Sequence, residues 1–127
     1  IKIDSGIDTG DVYLKKSLSL MGSAEEIFKR TSEIVFGEII PEIVSDEPAP
    51  KKQKGKAVVF KRRTPEMSLI TGQESLSELY DLIRMLDAPS YPKAFLELDN
   101  MRLELSSAEL EKGELRAKVT ITRKSKK

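Results

Sequence analysis

The sequence predicts an α/β segment followed by a small β-rich domain with one helix. Three observations predict it. Residues 1–45 carry apolar runs on either side of a glycine-punctuated loop, then one amphipathic stripe. Residues 46–56 collect Pro48, Pro50, Gly55 and lysines, the composition of a linker. Residues 57–123 hold a short apolar run, a second amphipathic stripe and alternating segments joined by two-residue turns. The expected boundaries are therefore 1–45, 46–56 and 57–123, with 124–127 as a disordered tail.

Ile1-Lys2-Ile3 reads as a strand already under way. Asp4-Ser5-Gly6 and Asp8-Thr9-Gly10-Asp11 are dense turn signals, after which Val12-Tyr13-Leu14 and the alternating Ser17-Leu18-Ser19-Leu20 resume extended chain. Strand, glycine-rich loop, strand is the expectation. Ser23 and Glu26 have capping-box spacing. Ile27, Phe28, Thr31, Ile34, Val35 and Ile39 then fall three or four apart, so a helix presents one apolar stripe. Gly37 weakens it, Pro41 ends or kinks it near Ile40, and a last turn runs through Ile43 and Val44. Two short strands barely cover such a stripe, so this segment is expected to close a sheet lying mostly outside the chain.

Ala57-Val58-Val59-Phe60 reads as a short strand. Ser75 caps a helix over 76–86, with Leu76, Leu79, Tyr80, Ile83 and Leu86 on one face, and the segment around Pro89 and Pro92 stops it. Asp99-Asn100 makes a two-residue turn. That turn sets Leu98 opposite Met101, Glu97 opposite Arg102 and Leu96 opposite Leu103, with apolar pairs on one face and the ion pair on the other. Lys112-Gly113 makes a second turn, setting Leu110 opposite Leu115, and Ala117, Val119 and Ile121 continue the inner face.

The chain has 127 residues, which fits one domain or a piece of a larger protein. It has no Cys, which excludes disulfides and thiolate metal sites, and no His, which removes the commonest general base. No apolar run approaches the ~20 residues that span a bilayer. The first residues lack the apolar core of a signal peptide, so a soluble cytoplasmic protein is the expectation. Net charge is +1 but uneven. Residues 51–63 hold Lys51, Lys52, Lys54, Lys56, Lys61, Arg62 and Arg63 without an acid, and 123–127 add further cations. Such segments contact phosphate or remain solvated loops.

Asp4, Asp8 and Asp11 share one loop, where Gly6 and Gly10 permit positive φ. Three readings stay open: a cation site, a catalytic carboxylate, and aspartates that cap their own turn. The spacing is not that of a calcium loop, and no metal is assigned. Arg62 and Arg63 suit a phosphate, or an ion pair with Glu66 or Asp87. Tyr80 lies on the apolar stripe and packs. Tyr91, in a loop, stacks on a ligand or packs beneath the strands. Arg84 is expected in an ion pair.

Residues 3–12, Ile-Asp-Ser-Gly-Ile-Asp-Thr-Gly-Asp-Val, resemble the D-x-G-x-D-T-G-D-[IV] loop of 10-formyltetrahydrofolate-dependent formyltransferases, the group of methionyl-tRNA and sugar N-formyltransferases. Arg63-Thr64-Pro65-Glu66 resembles their R-[TK]-P-E segment, residues 79–86 their [LI]-Y-x-x-I-R-x-L helix, and Tyr91-Pro92-Lys93-Ala94-Phe95 their Y-P-x-A-F. The motifs occur in order across most of residues 1–105. The resemblance implies that residues 1–45 are the closing strands and helix of a Rossmann-like catalytic domain and that 57–123 are its small C-terminal companion.

The resemblance further implies formyl transfer from 10-formyltetrahydrofolate to a primary amine, either methionyl-tRNA or a nucleotide-linked amino sugar. An Asn-x-His pair and a later Asp form the family's centre, and Asp8 matches that Asp. It would orient the imidazole and favour its protonated form. The imidazole would manage protons as the amine attacks, and the Asn would hold the oxyanion. Asp4, Gly6, Ile7 and Gly10 would line the folate pocket, and Arg62, Arg63 and Tyr91 would meet the acceptor. No His occurs here, and the sole Asn, Asn100, is a turn residue. The chain is therefore expected to be a fragment whose N-terminal half carries the Asn and His, and to be inactive alone. Two non-catalytic readings stand beside this one. Residues 51–127 form a nucleic-acid-binding module, or the strands dimerise at an edge that residues 123–127 otherwise protect. The oligomeric state is left open.

Overall fold

The computed structural model describes residues 1–124. Its elements are α1 (Ala24–Ile34), a π-helical turn (Val35–Ile39), α2 (Ile40–Asp46), a 3-10 turn (Pro65–Ser68), α3 (Leu76–Met85), β1 (Ala94–Leu98), β2 (Met101–Glu111) and β3 (Glu114–Arg123). The chain divides into two compact units, Ile1–Leu20 with Ile27–Lys61, and Met21–Glu26 with Arg62–Lys127.

In the first unit, the two expected strands are extended chain instead. Lys2 N–H donates to the Asp11 carbonyl at 2.7 Å, and Val12 forms a single antiparallel bridge with Lys51 at 2.8 and 2.9 Å. A strand needs a neighbour for its alternating backbone groups, and no strand forms in residues 1–20. The run 57–60 fails for the same reason: Val58, Val59 and Phe60 are exposed and belong to no strand.

The helix starts as its capping box requires, with Ser23 N–H donating to Glu26 Oε2 at 2.7 Å and Glu26 N–H to Ser23 Oγ at 3.4 Å. It continues past Pro41 because the preceding turn widens. Pro41 lacks an N–H and its ring would strike the Gly37 carbonyl, so Ile40 N–H reaches back to Val35 O in an i→i+5 bond. Segment 14–20 lies against this helix: Lys16 Nζ pairs with Glu42 at 2.6 Å, and Arg30 donates to the Ser19 carbonyl. Ile34, Val35, Ile39 and Ile43 are partly covered, whereas Phe36, Ile40 and Val44 stay exposed.

The second unit forms the antiparallel sheet β1-β2-β3. Leu98 pairs with Met101, Glu97 with Arg102, Leu96 with Leu103 and Leu110 with Leu115, the registers that the two turns dictate. Helix α3 covers one face, where Ile70, Ile83, Leu86 and Ala94 are buried and Leu79, Leu82, Leu96, Leu105, Ala108, Leu115 and Ala117 pack around them. Leu76, expected on the buried face, is exposed. Val119 and Ile121, expected on a covered inner face, are 49% and 60% exposed. The reason is length: a ten-residue helix spans about 15 Å, whereas a strand of ten residues spans about 33 Å.

Asp87, beyond α3, ties the unit together. Its carboxylate accepts from Lys93 Nζ at 2.6 Å and from Ser107 N–H at 2.7 Å, where β2 bulges between Ser106 and Glu109. Burial pushes this carboxyl up, but the Lys93 and Ser107 bonds and the nearby lysine charges outweigh it and hold it below its ordinary value. Lys124, expected to open a disordered tail, is instead ordered: its N–H donates to the Asn100 carbonyl at 2.8 Å and its ammonium pairs with Glu97 at 2.8 Å. Residues 125–127 of the expected tail lie outside the described residues.

Two nested caps start α3. Glu74 accepts from the Thr71 and Gly72 amides at 3.0 and 2.9 Å, and Ser75 and Glu78 form a capping box. The Thr71 amide is the first cause that lowers the Glu74 carboxyl to about 2. A depressed carboxylate stabilises the fold above its ordinary pKa, and that contribution disappears as pH falls through the depressed value. The melting temperature should therefore fall on acidification from the ordinary carboxylate range down to about 2, and Glu74→Gln should flatten that fall. Identical melting profiles across that window for the variant and the parent would show that the cap contributes nothing.

Candidate functional site

The loop joining the first two extended segments is built from its own side chains. Asp4 Oδ1 accepts from Gly6 N–H at 2.9 Å and Thr9 Oγ1 at 2.6 Å, and these bonds, the Thr9 hydroxyl first, hold its carboxyl below the usual range. Asp4 thus caps its own turn. Asp8 adopts the left-handed conformation at φ 55°, which aspartate tolerates better than most residues. Its carbonyl and that of Gly10 both accept from Gln53 Nε2, at 2.7 and 2.9 Å, so one amide clamps the bend from the other end of the unit.

The expectation about the glycines is corrected here. Neither Gly6 nor Gly10 has a positive φ; Asp8 carries it. Gly10 is needed for close approach, since a Cβ there would lie 1.7 Å from the Lys2 carbonyl oxygen. A Cβ at Gly6 would lie 2.2 Å from Thr9 Oγ1, itself held by Asp4. Gly10→Ala should push the first segment away and break the Lys2–Asp11 bond. Hydrogen exchange at the Lys2 amide should then approach the rate of open chain, whereas unchanged protection would remove the close-approach account.

Asp4, Gly6, Ile7, Asp8 and Gly10 come together along one concavity of about 340 Å³. Ile3 and Ile7 stand at its margin 94% and 92% exposed, an unusual position for two isoleucines. A second concavity, about 430 Å³, opens across the Val12–Lys51 bridge. Tyr13, Lys15, Lys51, Lys52, Gln53 and Lys54 line it. Gln53, Tyr13 and Lys15 escaped the sequence reading. Nothing local marks a linker glutamine as the clamp of a loop 45 positions away.

Arg62, Arg63 and Tyr91 belong to the other unit. Arg63 donates to the Met67 carbonyl at 3.0 Å, within the turn opened by Pro65. The ion pair expected for these arginines at Asp87 is pre-empted by Lys93. Tyr91 is 47% exposed in its loop. Tyr80 is half-buried beneath the Arg84 guanidinium, 5.5 Å from its ring centre, and Arg84 pairs with Asp81 and donates to the Gly22 carbonyl at 2.9 Å. Among the described residues, no group of three or more acidic residues is placed to hold a metal ion. Among the described residues, no helix is long and apolar enough to cross a membrane.

Residues 65–122 match the family model for the methionyl-tRNA formyltransferase C-terminal domain. The chain is also similar to a solved structure, a methionyl-tRNA formyltransferase from Clostridium thermocellum. The two share 49% identity with a TM-score of 0.93 over 97% of this chain and 54% of the other. The chain thus spans about half the length of that relative.

Proposed function

We propose that the chain, which matches the C-terminal part of the formyltransferase family, completes a longer enzyme that formylates a primary amine. In this reading residues 1–45 close the catalytic α/β domain, 46–56 link, and 57–123 form the small C-terminal domain. The exposed line Phe36, Ile40 and Val44, and the extended segments with few backbone partners, support a sheet supplied by the preceding half of the enzyme. That half also brings the Asn and His, and the setting is cytoplasmic.

The observation that carries the reading is the bend at Asp8. A left-handed aspartate, clamped by Gln53, lines a concavity edged by exposed isoleucines. Backbone polar groups beside Ile3 and Ile7 suit a flat heterocycle with apolar faces and a polar rim. When bound, 10-formyltetrahydrofolate supplies the formyl carbon. Asp8 receives the imidazole N–H, fixes its orientation and favours its charged form, while the isoleucines exclude water from the cleft.

Both acceptors under consideration carry phosphate. The lysines around Tyr13 support phosphate binding, with Arg62, Arg63 and Tyr91 as further acceptor contacts. Glu97, Glu104, Glu109, Glu111 and Glu114 break up any continuous basic face on the strands, which favours the smaller, nucleotide-linked amino sugar over tRNA. The test is an assay of the full-length enzyme with both acceptors and 10-formyltetrahydrofolate. Turnover of either supports the transferase, faster turnover of the sugar supports the acceptor assignment, and turnover of neither removes the reading.

A further inference from the structure

We infer that Gln53 is a positioning residue for Asp8, a role that rests on the transferase reading above. The backbone register puts it there. Lys51 bridges Val12 in the antiparallel sense, so position 53 falls opposite position 10. Position 10 is a glycine, and no side chain there competes with Gln53 for the space. The side-chain amide nitrogen of glutamine carries two donors. It reaches the Asp8 carbonyl at 2.7 Å and the Gly10 carbonyl at 2.9 Å, one donor for each acceptor.

The bend needs that support. A residue other than glycine persists at positive φ where its surroundings over-determine it, and Asp8 stands at φ 55°. Asp4 holds the near side of the loop through Gly6 N–H and Thr9 Oγ1, and the Lys2–Asp11 bond closes its ends. Gln53 holds the peptide of Asp8 itself. Because a peptide unit is planar, fixing its carbonyl fixes the direction in which the Asp8 side chain leaves the loop. Gln53 also lines the second concavity, with Lys52 and Lys54 on either side of it in the chain. The segment proposed to meet the acceptor's phosphate thus also aims the Asp8 carboxylate. A misaimed carboxylate slows the chemical step and leaves those lysines as they are.

Donors and shape are separable at this position. Glutamate copies the shape of glutamine and methionine its length, yet neither ionised glutamate nor methionine donates. Lysine is longer, but its ammonium has three donors. In the full-length enzyme, with 10-formyltetrahydrofolate and whichever of the two acceptors the parent turns over, Gln53→Met should lower kcat at least about tenfold, since a misplacement of about 1 Å costs up to about a hundredfold. The acceptor KM should stay near the parent value. Gln53→Glu should be slower still, because a carboxylate would face two carbonyl oxygens, and Gln53→Lys should recover most of the loss. Hydrogen exchange across residues 8–12 should quicken in Gln53→Met and slow again in Gln53→Lys, whatever the turnover. With Asp8→Asn slow in the same assay, the inference alone is overturned by a parent-like kcat in Gln53→Met, by a loss carried in acceptor KM, or by a Gln53→Lys no faster than Gln53→Met. Unchanged exchange in Gln53→Met overturns it equally. Full activity in Asp8→Asn removes the role of that carboxylate, and the inference falls with it.

Discussion

Asp8→Asn in the full-length enzyme should lower turnover by at least about a hundredfold, the lower end of what a positioned acid–base system contributes, while folate affinity stays near the parent value. The substitution isolates charge from shape. Asn tolerates the left-handed conformation as Asp does, so the bend at φ 55° survives. The Gln53 clamp binds the carbonyls of residues 8 and 10, not the side chain, and is also kept. The carboxylate alone is lost and, on the proposed function, with it the preference for a charged, correctly turned imidazole in the preceding half. The loss should therefore fall on kcat and leave folate dissociation unchanged. Asp8→Ala, which also loses the local tolerance for positive φ, should add a fall in stability. Full activity in Asp8→Asn would show that the carboxylate only shapes the loop.

Ile83→Ala should cost about 2–5 kcal/mol of unfolding free energy, the range for removing a large aliphatic side chain from a core that relaxes incompletely. Ile83 is fully buried and sits among Ile70, Leu86 and Ala94, the centre of the helix–sheet contact. The fully buried set is small, so no neighbouring layer can slide in to fill the void. Urea denaturation should show a lower midpoint with an unchanged slope. A change no larger than that of an exposed position such as Leu76 would place the core elsewhere.

The strand meander was legible because its determinants are local. A two-residue turn fixes which residues face each other, and parity then sorts every side chain, so the pairs at Leu98–Met101 and Leu110–Leu115 follow from Asp99-Asn100 and Lys112-Gly113. The helix starts at Ser23 and Ser75 were legible for the same reason. The first twenty residues were not, because a strand is defined by a partner that local pattern cannot supply; here a single bridge to Lys51 forms. The helix through Pro41 survives by a widened turn, a backbone adjustment that periodicity does not register. At the candidate site, the grouping of Asp4, Gly6, Ile7, Asp8 and Gly10 followed from sequence proximity. Gln53 came from a distant segment, and Gly10 serves close backbone approach rather than a positive φ.

A crystal structure of the full-length enzyme with a folate analogue tests the central claim most directly. The expected result is the Asp8 carboxylate within hydrogen-bond distance of an imidazole contributed by the preceding half, with the pteridine seated beside Ile3 and Ile7. An Asp8 side chain turned to bulk water, away from the folate groove, would contradict it.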